Sequence, residues 1–548
     1  MLGFLAPGSF HLSAFVTYFV TEHSLFAFSL ALLSWGLINF VLLLVFRRPG
    51  IAAALSLMLV GLLIALSQFK FGITWLTLTF LDLLIIDRDT FAYLIQIFPQ
   101  LRLWIAVGVL VLIPLLILIW WIDPFRVPRK YAAAGVVACL LGIVPMSLAV
   151  PEEGHEPFQG VNHISSLSRS GVYAVAQLMA HGWIDAADHV SDPVPVTGGG
   201  ACQPGRKLPH IIAILDESSF NAEAAPGIKL PDGYRDHFKS FDGKMRSLLV
   251  EATGGPTWYT EYNLLTGLSA RSYGKLKYYV TRIAAERVTR GLPHALARCG
   301  YNTYTLYPAM GDFLSSRRFQ TGVGVKNFID QHGMGAEVEV LPDSFFYDKT
   351  VGLIARDGKT APMFILTYLT ANHFPWTIDY RSDLTPEWVA PGNTPEIDEF
   401  LRRQMMSADD YVEFVRRLKK DFPGESFLIV RFGDHQPSIS NKILEPDASP
   451  KDVARRVMNH DPKYFTTHYV IDTVNFTPPD LSSAQNLIEA AYLPLVIQEL
   501  SGVPLDPSFV EQKKIFTRCA GKFFDCAGGA EARRFNKLLI DAGLIKGL

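Results

Sequence analysis

Two hydrophobic patterns divide the chain. Up to about residue 150, apolar residues come in long uncharged blocks; beyond it they come in short runs and in stripes at helical spacing. Ser24–Phe46 is long enough to span a bilayer, and Ile51–Phe69, Leu103–Ile122 and Ala132–Val150 follow as further spans. None reads as a cleavable signal peptide, because the first is too long and leads into more spans. Ile73–Ile86 is shorter and interrupted by Asp82. Counting it as a fifth crossing would strand one basic loop outside, so Phe71–Gln100 is expected at the membrane surface or as a re-entrant element.

The second pattern alternates. Candidate strands Ile211–Leu215, Leu248–Ala252, Thr303–Tyr307, Met363–Thr370, Phe427–Phe432 and His468–Val474 are separated by helical or irregular stretches. Runs apolar at every position suit strands buried on both faces of a parallel sheet. Helix Ile397–Phe422 carries Leu401, Met405, Ala408, Val412 and Val415 at three- and four-residue spacing, a stripe expected to face the core. The expected architecture is an α-helical transmembrane domain followed by an α/β domain with a mostly parallel central sheet. Its parts are a membrane domain over 1–150, a connector over 151–205 with a helix near Ser165–His181, and an extracytoplasmic domain over 206–548.

Charge fixes the orientation. The compact basic loops are Arg47-Arg48 and Arg126, Arg129 and Lys130, and such loops stay on the cytoplasmic side. Four crossings then put residues 151–548 outside, a bacterial inner-membrane arrangement. Eight of the 50 Lys and Arg and five of the 52 Asp and Glu precede residue 151, so the remainder is slightly acidic. That balance gives no electrostatic case for nucleic acid. Beyond Cys139 in a span, the cysteines are Cys202, Cys299, Cys519 and Cys526. Cys519 and Cys526 can close a local loop. Cys202 and Cys299 each precede a strand, and can pair if those strands are neighbours. Even pairing suits an oxidising compartment.

Chemistry gathers where strands end. Ile211–Leu215 runs into Asp216-Glu217, and Phe427–Phe432 runs into Gly433-Asp434-His435. Open α/β sheets place ligands at the carboxyl ends of their strands. After Leu248–Ala252 come Gly254-Gly255-Pro256-Thr257, with a helix expected through Tyr262–Leu268. Thr257 would then stand at a helix N-terminus, where a hydroxyl is often a cap but where free N–H groups also favour phosphate. Glu217, Asp434 and His435 offer a carboxylate and imidazole set suited to Zn²⁺ or Mn²⁺, which can activate a threonine hydroxyl.

Glu217 in Leu-Asp-Glu-Ser, Thr257 in Gly-Pro-Thr-x-x-x-Glu, His373 in Thr-Ala-Asn-His-Phe-Pro-Trp and Gly433-Asp434-His435-Gln436-Pro437 occur in that order. Over about residues 205–505 the set resembles the membrane-anchored transferases of the alkaline phosphatase/sulfatase superfamily, with the lipoteichoic acid synthase and phosphoglycerol transferase branch nearest and the phosphoethanolamine transferases as relatives. The resemblance implies that Glu217, Thr257, Asp434 and His435 bind a divalent metal. Thr257 would attack a phospholipid head group, phosphoethanolamine or phosphoglycerol, and a hydroxyl of a glycan or glycolipid would accept it. His373 would contact the phosphate or protonate a leaving oxygen. Asp216 has no counterpart and is expected behind the ligands. A same-fold hydrolase, or a silent membrane receptor that keeps only the fold, are the alternatives.

The sequence departs from the pattern twice. Gly255-Pro256-Thr257-Trp258 lacks the Cys/Ser-x-Pro-x-Arg signature of soluble sulfatases, against a sulfate ester hydrolase. Met310–Arg318 lacks the tryptophan of the Trp-x-Arg pair in lipoteichoic acid synthases, against glycerol phosphate polymerisation. Glu261 and Asp312 are acids that would suit the amine of an ethanolamine head group.

Overall fold

The computed structural model describes residues 2–74, 77–85, 91, 95, 100–150, 160–190, 194–198, 202–338 and 340–546. The chain forms two compact units, Met1–Ala180 and His181–Leu548.

In the first unit four helices are long and apolar enough to cross a membrane: Leu25–Phe46, Pro49–Phe71, Gln100–Ile122 and Arg129–Ala149. They coincide with the four expected spans to within a few residues. On Gln100–Ile122, Leu110 is 73% and Trp121 83% exposed, apolar area that water would not tolerate and lipid would. A further helix, Leu2–Thr21, was not singled out by the hydrophobic pattern. It precedes both basic loops, so it leaves their shared side unchanged. Of the expected surface element Phe71–Gln100, much lies outside the described residues; within them, helix Phe80–Ile85 carries Asp82, whose carboxylate pairs with Lys70 Nζ at 2.7 Å. The connector helix is observed as His163–His181. Its first turn is tied into this unit by Glu22, whose carboxylate accepts from Ile164 N at 2.9 Å and Ser165 Oγ at 2.6 Å.

The second unit is built on an eight-stranded sheet. Its strands are β1 (His210–Asp216), β2 (Arg246–Leu249), β3 (Asn302–Leu306), β4 (Asn327–Ile329), β5 (Met363–Tyr368), β6 (Phe427–Gly433), β7 (Thr466–Val474) and β8 (Leu487–Glu489). Their order across the sheet is β4-β3-β5-β1-β6-β7-β2-β8. Only β7 runs against its neighbours, β6 and β2; the other pairs are parallel. β1, β5 and β6 are buried at every residue, as continuous apolar runs require. Ile212, Ile214, Ile365 and Ile429 pack on one face against Tyr347, Phe414 and Leu418 from helices Asp343–Asp357 and Pro395–Asp421.

The strand order answers the condition set for the first disulfide and separates the strands that carry the site. β1 and β3 are not adjacent, because β5 lies between them. Cys202 and Cys299 are nonetheless bonded, with Cα atoms 5.1 Å apart, because both lie in chain leading into the strands and not on them. Cys519 and Cys526 form the second disulfide. β2 does not neighbour β1; β6 and β7 separate them. On helix Pro395–Asp421 the buried face is Phe400, Leu401, Gln404, Ser407, Tyr411, Phe414 and Leu418, while Val412 is 67% exposed. Of the expected stripe, Leu401 is buried and Met405 and Val415 pack against the core from partly buried positions; the face is wider than the stripe because it also buries the polar Asp398, Arg402, Arg403, Gln404 and Ser407.

Candidate active site and metal centre

β1 and β6 pair in parallel with Asp216 opposite Gly433. That register carries the next residues, Glu217 and Asp434, side by side over the carboxyl edge. Close approach of the two turns is possible because residue 433 is glycine: a Cβ there would collide with the carbonyl oxygen of Ser219. Ser218 turns the chain with φ +52° and donates its N–H to Asp434 Oδ1 at 2.8 Å. Its hydroxyl donates to Glu217 Oε1 at 2.8 Å. Gly433→Ala should cost at least about 2 kcal/mol of stability by overpacking, and lower metal content more than its neighbours' core variants do. Denaturant midpoints and metal analysis read both effects.

Among the described residues, Glu217, Asp434 and His435 form the group of acid and imidazole side chains able to hold a metal ion, their ligand atoms all within 4.8 Å. All three are buried. His435 Nδ1 lies 3.0 Å from the Gln436 carbonyl, which accepts from it and leaves Nε2 as the free nitrogen. Nε2 stands 3.3 Å from Asp434 Oδ2 and 3.5 Å from Glu217 Oε1. Neither His435 Nε2 nor Asp434 Oδ2 has a hydrogen-bond partner, although both are buried. Buried polar atoms without hydrogen-bond partners, gathered beside a second carboxylate, fit a cation. Electrostatics agree. Burial opposes ionisation of Glu217, yet the His435 imidazole beside it holds its carboxyl well below the usual range. Burial and the charge of Glu217 push Asp434 up. Burial would lower His435, but Asp434 and Glu217 outweigh it and hold the imidazolium up to about 9. The proton thus supplies the positive charge that two buried carboxylates demand.

Thr257 reaches this edge although its strand does not. After β2, Thr253 bridges to Gln436 and Gly254 N donates to the Gln436 carbonyl at 2.8 Å, carrying the loop across β7 to the end of β6. Gly254 and Gly255, at φ +74° and +150°, take the turn there. Helix Trp258–Thr266 starts earlier than expected, directly after Thr257. The Thr257 side chain makes no capping bond. Its Oγ1 donates instead to Glu217 Oε2, weakly, at 3.3 Å. Thr260 Oγ1 on the same helix donates to the Asp434 carbonyl at 2.6 Å, pinning the helix to the site.

His373 follows β5, half-buried, and its charge acts on Glu217. Its Nδ1 is 2.8 Å from the Phe374 carbonyl, so Nε2 is the nitrogen left for a ligand. Asp216 turns to the other side of β1. Its Oδ2 accepts from Arg431 Nη1 at 2.9 Å and lies 3.4 Å from His237 Nε2 and 3.6 Å from His468 Nε2. Glu261 is fully buried, accepts from Gln320 Nε2 at 2.9 Å and is pushed by burial up to about 7, so it offers no open carboxylate to an amine. Asp312 is exposed. Sequence reasoning assigned no role to Ser218 within its motif and missed Thr260 and Arg403, whose side chains act on backbone carbonyls and leave no motif of their own.

Residues 247–469 match the sulfatase family model. The match lies wholly within the second unit. The matched span includes Thr257, His373, Asp434 and His435; Glu217 lies before it. No curated protein matches the chain in sequence. Among solved structures, phosphoglycerol transferase GacH of Streptococcus pyogenes, in complex with sn-glycerol-1-phosphate, is 15% identical with TM-score 0.47, over 63% of this chain and 88% of that one. The integral membrane lipooligosaccharide phosphoethanolamine transferase A of Neisseria meningitidis is 11% identical with TM-score 0.42, over 88% and 96%. Lipoteichoic acid synthase LtaP of Listeria monocytogenes is 17% identical with TM-score 0.41, over 54% and 73%.

Proposed function

We propose that this protein is a membrane-anchored, metal-dependent transferase that moves a phospholipid head group onto a hydroxyl of an extracytoplasmic glycan or glycolipid. One observation carries the reading. The Thr257 hydroxyl, at a helix N-terminus, declines its usual capping bond and points at the buried Glu217, Asp434 and His435 group. A capping threonine has no reason to do so.

Glu217, Asp434, His435 and the Thr257 hydroxyl would hold a divalent ion, and oxygen donors with one imidazole suit Zn²⁺ or Mn²⁺. Such an ion supplies Lewis acidity and neutralises charge at the phosphoryl group. Thr257 Oγ attacks the head-group phosphorus, its proton leaving toward the carboxylates. The bond from phosphorus to the diacylglycerol oxygen breaks, and that oxygen takes a proton from His373 Nε2. The dipole at the start of helix Trp258–Thr266 favours the negative charge of the phosphoryl oxygens. In the second half the acceptor hydroxyl attacks phosphorus and gives its proton to His373 Nε2, while Thr257 Oγ leaves and takes its proton back from the carboxylates. The two basic loops support placing the second unit outside the cytoplasm, where such an acceptor is met.

The head group is phosphoethanolamine or phosphoglycerol, with Glu261 already engaged by Gln320 and therefore not seating an ammonium. Purified full-length protein given phosphatidylethanolamine or phosphatidylglycerol in vesicles should release diacylglycerol from one of them. No release from either, with metal bound, would sink the reading.

A further inference from the structure

The loop that presents His373 leaves β5 at Tyr368 and runs toward Ile378, with a few bonds of its own, His373 N to the Thr370 carbonyl at 2.9 Å and Trp376 Nε1 to the Asn372 carbonyl at 3.1 Å among them. Other elements hold it. Asp343 Oδ1 accepts from Thr370 N and Ala371 N, each at 3.1 Å. Asn372 Nδ2 donates to the Ser218 carbonyl at 3.3 Å, linking the loop to the turn beside Glu217. The strongest hold comes from Arg403 on helix Pro395–Asp421, a side chain only 2% exposed. Its Nη1 donates to the carbonyl of His373 itself at 2.7 Å. Its Nη2 donates to the carbonyls of Pro375 at 2.9 Å and Ile378 at 2.8 Å, and its Nε to Glu399 Oε1 at 2.7 Å.

We infer that Arg403 is a positioning residue for His373: its guanidinium fixes the His373 carbonyl and so sets where the imidazole stands over the Thr257 and Glu217 edge. The inference rests on the transferase reading for what His373 does. A buried guanidinium is tolerated only when its donors are satisfied, and here three of the four acceptors are carbonyls of one short loop. A merely structural arginine needs partners, but it does not need them all on the segment that carries a proton donor. Because Nδ1 of His373 is committed to the Phe374 carbonyl, the ring inherits the placement of its backbone. Lysine cannot reproduce the hold, since a single ammonium does not span three carbonyls in the plane of a fork.

A double-mutant cycle on the full-length protein separates positioning from general stability. Arg403→Lys, His373→Ala and the pair are assayed on whichever phospholipid the wild type turns over, and in parallel on bis(p-nitrophenyl) phosphate, which needs neither lipid nor acceptor. Misplacing a catalytic group by about 1 Å should lower kcat about 10- to 100-fold with KM nearly unchanged. In the His373→Ala background the same Arg403→Lys change should cost less than about 3-fold, because its target is gone. Equal losses in both backgrounds, or no loss of kcat in Arg403→Lys alone, overturn the inference. Should Arg403→Lys fail to fold, Glu399→Gln loosens the guanidinium from its other side, and the same cycle then decides with a smaller expected loss. A coupled cycle on the aryl diester without any lipid turnover would leave Arg403 standing and reject the phospholipid donor.

Discussion

On the proposed function, Thr257→Ala should abolish head-group transfer, with a fall in kcat of at least about 10⁴-fold, the scale expected when a nucleophile that acts as part of a unit is removed. The protein stays folded. The hydroxyl is half-buried and its bond to Glu217 is long, 3.3 Å, so its removal costs under about 1 kcal/mol. The direct measurement is intact-protein mass after incubation with donor lipid and no acceptor. Wild type should gain the mass of one phosphorylated head group on the Thr257 peptide, and that mass names the head group. Thr257→Ser keeps the attacking oxygen and loses only a methyl, so it retains measurable activity and acquires the same adduct. Rapid turnover of lipid by the wild type, with no mass ever gained at Thr257 under quench conditions, would falsify the covalent step while leaving the metal site intact.

The second large effect concerns the metal. Glu217→Ala and His435→Ala should each drop the metal-to-protein ratio from about one to near zero after desalting, since losing even an outer-shell partner of a ligand costs 10- to 100-fold in affinity and losing a ligand costs more. Binding is also linked to pH. His435 holds a proton up to about 9 in the metal-free site, and its Nε2 must shed it to become a ligand. Metal uptake near neutrality therefore releases about one proton, and raising the pH favours binding. Between about pH 6.5 and about pH 8 the apparent Kd for Zn²⁺ should tighten about 10-fold or more, a trend that flattens above the His435 pKa. A pH-independent Kd would mean that His435 is not a ligand. Calorimetry in buffers of different ionisation enthalpy counts the proton directly.

Much of this was legible in the chain because the relevant signals are local. Spans such as Leu25–Phe46 announce themselves by length and apolarity. A strand buried on both faces, such as β1 or β6, is a continuous apolar run, and the polar residues that end it, Asp216-Glu217 and Gly433-Asp434-His435, fall at the edge where ligands bind. Strands of three or four residues, β2, β4 and β8, carry too few positions to show a period, so one was misplaced and two went unseen.

What only the tertiary structure decided is which residues meet. Asp216 and Glu217 are adjacent carboxylates, and alternation at the end of β1 sends one to Arg431 and the other to Asp434 and His435. Thr257 belongs to a strand two places removed from β6, and it reaches Asp434 only through the bridge from Thr253 to Gln436. Arg403 carries no signal in the sequence that sets it apart from the other charges of its helix, and it is a buried clamp on the loop of His373. Local sequence specifies the period of an element and the chemistry at its ends. Register, strand order and the destination of a long side chain depend on non-local packing, which no single stretch of the chain contains.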